Sequence, residues 1–408
     1  MSSFFLRISF FAFFSFCFLF SSCTSTRIDT EDSAQENQEN QETQETEQNQ
    51  NALNEAQKSD TESEISLIFA GDIMAHRPNY EPGKFERIWK DIAPLVKTGN
   101  LSFANMEAPV AEKLPWSTYP QFNMHQIYVE EAINAGFNVF SLANNHTNDQ
   151  YLEGILATRD YFKNRKDIWA CGLKEKSNGE LTYRLIEKDG WKVLFVAFTE
   201  LLNRNDYSSY IDYVPPTEKQ REELKKTLIA LGENNPHDLF VISVHSSEPE
   251  YVHKITDGRK NWYHALITEC GADVVWANHP HIVRPWETIE AEDGRTAFVM
   301  YGNGNTISAQ RTSPSFSAPE TARDDTGDGL IIRLRFKKRD GEKAALTNSE
   351  HFFITTLISS DGRYVIKLLD DDLLRSLDRA ENPVWATYLG ERRKILERQT
   401  GISQKNND

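Results

Sequence analysis

Residues 273–285 read Asp-Val-Val-Trp-Ala-Asn-His-Pro-His-Ile-Val-Arg-Pro, an apolar run that ends in His279 and His281. The run predicts a buried strand, and the two histidines lie where that strand would enter a loop. In an open α/β sheet, ligands bind outside the carboxyl ends of the strands. Imidazole is the commonest metal-binding side chain. This strand end is therefore a candidate metal site, although two ordinary loop histidines would give the same pattern.

Four earlier apolar runs end in the same way, each followed by a residue that can bind a metal ion. These residues are Asp72 after residues 65–70, Glu107 after 101–104, Asn145 after 139–143 and His245 after 239–244. Each has an ordinary alternative role, as a turn, cap or loop residue. Five such endings that converge on one rim of a sheet are nevertheless hard to explain by packing, and together they predict a binding site.

Helical patterns alternate with these strands and predict an α/β sheet that is covered on both faces. The predicted helices are residues 85–96, 129–135, 151–164, 218–231 and 261–270, and residues 191–199 form a further strand. The pattern then becomes strand-rich over residues 296–301, 329–336, 351–357 and 364–369, followed by helices over 370–378 and 383–397. Residues 308–329 have no strong period and are predicted to form a mobile loop near the site.

The N-terminal part of the chain predicts a location outside the cytoplasm. Residues 1–23 contain a short apolar, phenylalanine-rich core followed by small residues and Cys23, which is typical of a lipoprotein-type signal peptide; an uncleaved membrane anchor is the alternative. Residues 24–64 are rich in Gln, Glu and Asn and predict a disordered acidic tether. Within it, residues 29–64 hold 12 acidic residues and one basic residue, and so most of the net charge of −16. We expect a lipidated Cys23 to attach the protein to the membrane of the cell envelope.

The remainder of the 408 residues has a composition suited to a large folded domain. It is only mildly acidic and has no basic stripe, so nucleic acid is not an expected partner. Cys171 and Cys270 would form either one disulfide or two buried thiols, because an oxidising compartment permits both.

The predicted ligands form a chemically coherent set. Two carboxylates, one amide and three imidazoles suit a pair of divalent ions such as Mn, Fe or Zn rather than Ca or Mg, which favour oxygen ligands alone. The set is Asp72, Glu107, Asn145, His245, His279 and His281. His146, beside Asn145, would point towards substrate and donate a proton to the leaving oxygen; the alternative is a histidine that only hydrogen-bonds a carboxylate. Asp149 and Arg284 lie by these motifs as candidate substrate contacts, although a surface salt bridge is an equal alternative for Arg284.

Six motifs, in order, resemble the CapA/PgsA family of capsule and poly-γ-glutamate synthesis proteins, within the calcineurin-like metallophosphoesterase superfamily. They are Gly-Asp-Ile-Met (71–74), Asn-Met-Glu-Ala-Pro (105–109), Ala-Asn-Asn-His-Thr-Asn-Asp (143–149), His245 with Glu250-Tyr251, Asn-His-Pro-His-Ile-Val-Arg-Pro (278–285) and Tyr-Gly-Asn-Gly-Asn (301–305). The resemblance implies a four-layer αββα sandwich of two mixed sheets flanked by helices. It also implies a CapA-like domain over residues 65–370, with residues 371–408 as a helical extension.

The resemblance assigns the site residues to two metal ions. Asp72, Glu107 and His281 would hold one ion; Glu107, Asn145, His245 and His279 would hold the other; and His146 would be the catalytic histidine. Three features depart from the superfamily pattern. The histidine nearest Asp72 is His76, four residues on, which is a further candidate ligand. Glu107 replaces a common aspartate, and the segment from His245 to Tyr251 is one residue longer than usual.

Three functions are compatible with these features. The first is a lipid-anchored, dinuclear metal-dependent phosphoester hydrolase involved in the biosynthesis of a capsule or envelope polymer of the poly-γ-glutamate type. The second is a non-hydrolytic assembly or export factor for an anionic polymer, acting as one member of an envelope synthesis complex. The third is a binding module with a relic site. The completeness of the ligand set favours the first.

Overall fold

The computed structural model describes residues 62–163, 165–339, 341–380 and 382–402. The predicted signal peptide with Cys23, and the predicted tether up to residue 61, lie outside the described residues. The strands, β1 to β14 in chain order, are Ser63–Ile73, Leu101–Met106, Val139–Ser141, Trp169–Cys171, Tyr183–Lys188, Trp191–Thr199, Leu239–His245, Val274–Asn278, Trp286–Glu290, Thr296–Met300, Asn305–Ile307, Asp328–Lys338, Ala345–Ile358 and Tyr364–Leu368.

The strands form two mixed sheets. The first has the order β14-β13-β12-β1-β2-β3-β4, with β11 paired to the end of β1, and the second has the order β5-β6-β7-β8-β10-β9. In the first sheet β1 to β4 are parallel, whereas β12 to β14 are antiparallel to their neighbours. In the second sheet β6, β7, β8 and β10 are parallel, with antiparallel strands at both edges. Parallel strands place their carboxyl ends on one rim, as the sequence predicted.

Helices cover both sheets. The α-helices, α1 to α10, are Arg77–Tyr80, Glu86–Trp89, Ala93–Val96, Gln126–Asn134, Tyr151–Phe162, Glu218–Asn234, Asp257–Thr268, Ala322–Asp325, Asp371–Arg379 and Pro383–Thr400. Helices α2 to α5 pack on the outer face of the first sheet, and α6 and α7 pack on the outer face of the second. The inner faces of the sheets pack against each other. The predicted four-layer αββα arrangement is confirmed.

The alternation of side chains along β1 shows how the sequence produces these layers. Ile65, Leu67 and Phe69 point into the core between the sheets, whereas Ile68 and Ala70 point towards the outer helices. Successive strand residues face opposite sides of a sheet, so a continuous apolar run is needed where both sides are covered. Each large apolar side chain buried in this way contributes about 1.5–3 kcal/mol relative to exposure.

The structure corrects one predicted element. The predicted helix over residues 85–96 is wrong: it is two short helices, because Pro94 in the first turn of α3 has no N–H with which to continue the preceding helix. The predicted loop over residues 308–329 is held near its two ends, since Arg311 and Asp328 are buried and joined by a 2.9 Å ion pair. Residues 312–323 between them are mostly exposed, and their mobility stays a prediction.

The two cysteines of the described chain are not paired. Cys171 and Cys270 are both buried and free, which confirms the alternative of two buried thiols. Among the described residues between 62 and 402, no helix is both long enough and apolar enough to cross a membrane.

Candidate metal centre

The predicted ligands lie at the carboxyl ends of β1, β2, β3, β7 and β8, at one end of the cleft between the two sheets. Register explains their proximity: Asp72 on β1 is paired with Asn105 on β2, and His245 on β7 is paired with Asn278 on β8. The loop after β8 then brings in His279 and His281. The sequence thus places side chains from distant segments on one rim, because these strands are parallel within their sheets.

Glu107 is shared by two groups of potential metal ligands. Ligand atoms of Glu107, His279 and His281 all lie within 4.8 Å of one another, and so do those of Asp72, Glu107 and His245. All five residues are buried. Oε1 of Glu107 faces both groups, since it lies 3.7 Å from Nε2 of His245 and 3.6 Å from Nε2 of His281. The predicted amide ligand, Asn145, is adjacent, with its Oδ1 2.8 Å from Nε2 of His245.

Two asparagines fix the orientation of these side chains. The Nδ2 group of Asn105 donates to Oδ1 of Asp72 at 2.8 Å. Oδ1 of Asn305 lies 3.1 Å from Nδ1 of His281, and Oδ2 of Asp72 lies 3.0 Å from the same nitrogen. An Nδ1–H group that donates to these oxygens leaves Nε2 of His281, 3.6 Å from Oε1 of Glu107, as the nitrogen that can bind a cation.

Several buried polar atoms of this site have no hydrogen-bond partner among the described residues. They include Oε1 of Glu107, Nδ1 of His279 and Oδ1 of Asn105. Buried polar groups are almost always satisfied, and leaving one unpaired is costly. A cation between Glu107 and the histidines would satisfy the carboxylate oxygen and a histidine nitrogen together. The residues present therefore fit a divalent metal ion.

The electrostatics of the site agree with this fit. Burial, reinforced by the charge of Asp72, raises the pKa of Glu107 well above its ordinary value. Burial lowers the pKa of His245 and His279 well below the ordinary value, and neighbouring imidazoles act in the same direction. Burial also acts to lower the pKa of His281, but the hydrogen bond and charge of Asp72 outweigh it and raise this pKa. A cation would compensate the buried charge of Glu107, and neutral imidazoles are the form that binds metal.

The backbone of the His-Pro-His segment is also unusual. His279 has a φ of 99° and His281 a φ of 57°, both in the left-handed region that non-glycine residues rarely occupy. Such conformations cost on the order of 1–3 kcal/mol each and are concentrated at functional sites. Here they accompany two imidazoles whose side chains face the same carboxylate.

His146 and Asp149 form a hydrogen-bonded pair beside the ligands. Nδ1 of His146 lies 2.7 Å from Oδ2 of Asp149, and the same oxygen accepts the backbone N–H of Phe122 at 2.7 Å. Asp149 therefore fixes the ring of His146, with Nδ1 as donor and Nε2 as the second functional nitrogen. The hydrogen bond to a carboxylate, which was the alternative role of His146, is thus present at Nδ1. A catalytic role for Nε2 stays a prediction.

Two other predicted residues are engaged by protein groups. The backbone N–H of Ala309 donates to Nδ1 of His76 at 3.3 Å, and burial lowers the pKa of His76 to about 3. His76 is not in either ligand group formed by the described residues, and its role as a ligand stays a prediction. Arg284 is buried, donates to Oε2 of Glu248 at 2.5 Å and also donates to the carbonyl oxygen of Val252. It holds the segment that follows His245, and its contact with substrate stays a prediction.

Asn203, to which the sequence analysis assigned no role, also lies at the site. Its backbone N–H donates to the carbonyl oxygen of Asn145 at 3.0 Å, and its Nδ2 lies 3.4 Å from Nε2 of His146. Asn203 follows β6, whose end lies beside that of β7. Its position just beyond a strand of the same rim was the signal that could have found it.

Comparison of the sequence with protein families gives one match that covers more than half of the chain. The family described as "Bacterial capsule synthesis protein PGA_cap" matches residues 66–310. Two curated relatives are similar at 23% identity. The capsule biosynthesis protein CapA of Bacillus anthracis aligns over 72% of this chain and 72% of its own length. The PGA biosynthesis protein CapA of Bacillus subtilis (strain 168) aligns over 60% of this chain and 64% of its own length.

Comparison with solved structures gives more distant likenesses. A hypothetical protein from Thermus thermophilus is 16% identical, with a TM-score of 0.42 over 71% of this chain and 98% of its own. The 5'-nucleotidase of Candida albicans is 12% identical, with a TM-score of 0.39 over 82% of this chain and 57% of its own. At these scores neither likeness identifies an activity.

Proposed function

The chain belongs to the family of bacterial capsule synthesis proteins, and from this premise we propose that it is a metal-dependent phosphoester hydrolase of envelope polymer biosynthesis. The observation that carries the proposal is Glu107, a buried carboxylate common to two ligand groups. Such sharing is what a dinuclear site requires. The substrate would be a phosphoester of the polymer or of its precursor.

Two ions of Mn, Fe or Zn would fit the mixed oxygen and nitrogen ligands. Asp72 and His281 would bind one ion, and Asn145, His245 and His279 would bind the other. Glu107 would bind both ions. When bound, the ions would act as Lewis acids on a phosphoryl group and promote ionisation of water.

His146 would supply the proton that the leaving oxygen needs. Asp149 accepts from Nδ1 at 2.7 Å, so the ring presents Nε2 to substrate without having to reorient. The Nδ2 group of Asn203 lies 3.2 Å from Nδ1 and 3.4 Å from Nε2, so this side chain lies against the ring. Proton transfer by a positioned side chain contributes about 10²–10⁴-fold to the rate.

We expect His146→Gln to lower kcat for a chromogenic phosphodiester or phosphomonoester by about 10²–10⁴-fold, because it removes the proton donor. Asp149→Asn should also lower kcat, by up to about 10⁴-fold, because the ring stays in place but takes the wrong tautomer. Steady-state kinetics on Mn²⁺-loaded protein measure both effects, and calorimetry should show unchanged metal stoichiometry. His237→Gln, near the opposite end of β7, is the matched control. If metal-loaded wild-type protein turned over no substrate in a broad panel of phosphoesters, the hydrolase proposal would be contradicted.

A second candidate is a non-hydrolytic assembly or export factor for an anionic envelope polymer, acting within a synthesis complex. It is favoured by the relatives, whose names record biosynthesis rather than hydrolysis. Under this alternative, cells that carry His146→Gln would make as much polymer as the wild type. Under the hydrolase proposal, the same cells would lose polymer.

We further propose that the protein works on the outer side of the membrane, held by lipidated Cys23. Support comes from the sequence of residues 1–23 and from the capsule biosynthesis relatives. Of the predicted acidic tether, residues 63 and 64 belong to β1, so residues 24–62 would separate the folded domain from the membrane surface. Cys23→Ser should release the protein from the membrane fraction; a variant that still sediments fully with membranes would contradict lipid attachment.

A further inference from the structure

Helix α10 carries a buried arginine whose contacts lead back to the candidate metal centre. Arg392 is completely buried, and each of its three guanidinium nitrogens has a partner in residues 319–328. Nε donates to Oδ2 of Asp328 at 2.7 Å, one terminal nitrogen to Oδ1 of Asp325 at 2.6 Å, and the other to the carbonyl oxygen of Pro319 at 2.6 Å. This arrangement uses the planar fork of arginine, which lysine cannot reproduce.

The held segment contacts the residue that orients His281. The carbonyl oxygen of Thr326, between Asp325 and Asp328, accepts from Nδ2 of Asn305 at 2.8 Å. With its amide nitrogen fixed in this way, Asn305 presents Oδ1 to Nδ1 of His281 at 3.1 Å. The path from helix α10 to a candidate metal ligand therefore consists of one ion-pair cluster and two hydrogen bonds.

Neighbouring contacts prevent the segment from shifting. Oδ1 of Asp328 accepts from the buried Arg311 at 2.9 Å and from Oγ1 of Thr355 at 2.9 Å. One turn before Arg392 on the same helix, the hydroxyl of Tyr388 donates to Oδ1 of Asp324 at 2.7 Å. Residues 324–328 are thus held by helix α10 and by Arg311 and Thr355. Together these contacts fix the position of the Thr326 carbonyl group.

We propose that Arg392 is a positioning residue for the metal centre, which sets the orientation of His281 through residues 325–328 and Asn305. The inference rests on the proposed function, because it takes His281 to be a metal ligand. It adds a residue that lies more than 80 positions beyond the end of the family match at residue 310. Helix α10 is then a part of the site and not only a covering of the core. Groups that orient metal-binding histidines typically contribute about 10–100-fold to metal affinity.

The test is titration of the chelator-treated full chain with Mn²⁺, together with thermal unfolding. Arg392→Lys keeps the charge but leaves acceptors without donors, and we expect it to weaken Mn²⁺ binding about 10-fold. Asn305→Ala should weaken binding to a similar degree. The double variant should bind no more weakly than Asn305→Ala alone, because residues that act along one path are not additive. Arg393→Lys, whose partner Asp371 is exposed, is the matched control.

The outcomes separate this inference from the proposed function. If wild-type protein binds no Mn²⁺, both fail. If the wild type binds Mn²⁺ and Arg392→Lys binds within about twofold of it, even with a lower melting temperature, Arg392 is only structural and the inference fails alone. Additive effects in the double variant would also overturn it. Should Arg392→Lys not fold, Asp325→Asn, which weakens the same ion pair, must show reduced Mn²⁺ affinity for the inference to stand.

Discussion

Glu107→Gln is expected to remove Mn²⁺ binding at both positions of the site while leaving the metal-free protein at least as stable as the wild type. Glu107 belongs to both ligand groups, so the loss of its charge affects both. We expect the dissociation constant for Mn²⁺ to rise by at least about 100-fold, the upper end of what loss of an orienting group alone causes. In the metal-free protein the same carboxylate is buried beside Asp72, and glutamine avoids the cost of that charge.

The pH dependence of unfolding shows whether Glu107 stabilises or destabilises the metal-free protein. The folded-state pKa of Glu107 is raised above the value of 4.5, so metal-free wild type loses stability as pH rises from about 4.5 through the raised pKa. His245 and His279 have lowered folded-state pKa values, so stability also falls as pH drops below about 6.5. Glu107→Gln should remove the first dependence and keep the second. It also keeps the loss of stability above about pH 6.5 that the raised pKa of His281 contributes. Thermal unfolding with chelator from about pH 5 to pH 8 measures both.

The exposed residue Glu292, in the turn between β9 and β10, provides the control. Glu292→Gln should leave Mn²⁺ affinity and the pH profile unchanged. A Glu107→Gln protein that binds Mn²⁺ as tightly as the wild type would show that this carboxylate is not shared by two ions. A metal-free variant markedly less stable than the wild type at about pH 8 would show that the carboxylate stabilises the fold by itself.

The parts of the site that the sequence predicted are those that local pattern determines. Asp72, Glu107, Asn145 and His245 each end an apolar run, and parallel pairing brings such ends to one rim within each sheet. The packing of the two sheets then places the two rims side by side. The His-Pro-His segment after β8 follows the same rule. These predictions needed only strand identity and direction, which the length and composition of the runs supply.

The parts that the sequence missed depend on contacts between distant residues. Asn305 orients His281 only because β11 pairs with the end of β1. The paired residues are more than 230 positions apart in the sequence. Arg284 has the character of a phosphate-binding residue, but its burial and its pairing with Glu248 follow from how the loop after β7 folds back. Pro94 was a local signal that should have divided the predicted helix. The ends of the aperiodic segment 308–329 are held by ion pairs of Arg311, Asp325 and Asp328, which leave no periodic signal in the sequence.

The second large effect comes from Gly71, which has no room for a side chain. A Cβ atom at Gly71 would lie 1.9 Å from the carbonyl oxygen of Gly304. That oxygen accepts the N–H of Asp72 at 3.0 Å, so the same contact sets the position of the first predicted ligand. We expect Gly71→Ala to lower the free energy of unfolding by about 3 kcal/mol or more, the upper range for overpacking, because backbone atoms cannot turn aside as a side chain can.

Chemical denaturation of metal-free protein measures this loss, and Mn²⁺ titration measures its effect on the site. If β1 and β11 separate to admit the methyl group, Asp72 moves with them, so Mn²⁺ affinity should fall together with stability. Gly390→Ala in helix α10 is the matched control, since a Cβ there meets no atom within 4 Å. That change should raise the free energy of unfolding by about 0.5–1 kcal/mol, because alanine loses less backbone entropy in a helix. A Gly71→Ala protein with wild-type stability and Mn²⁺ affinity would mean that β11 does not hold Asp72, and that its contacts with Asn105 and His281 are enough to orient this carboxylate.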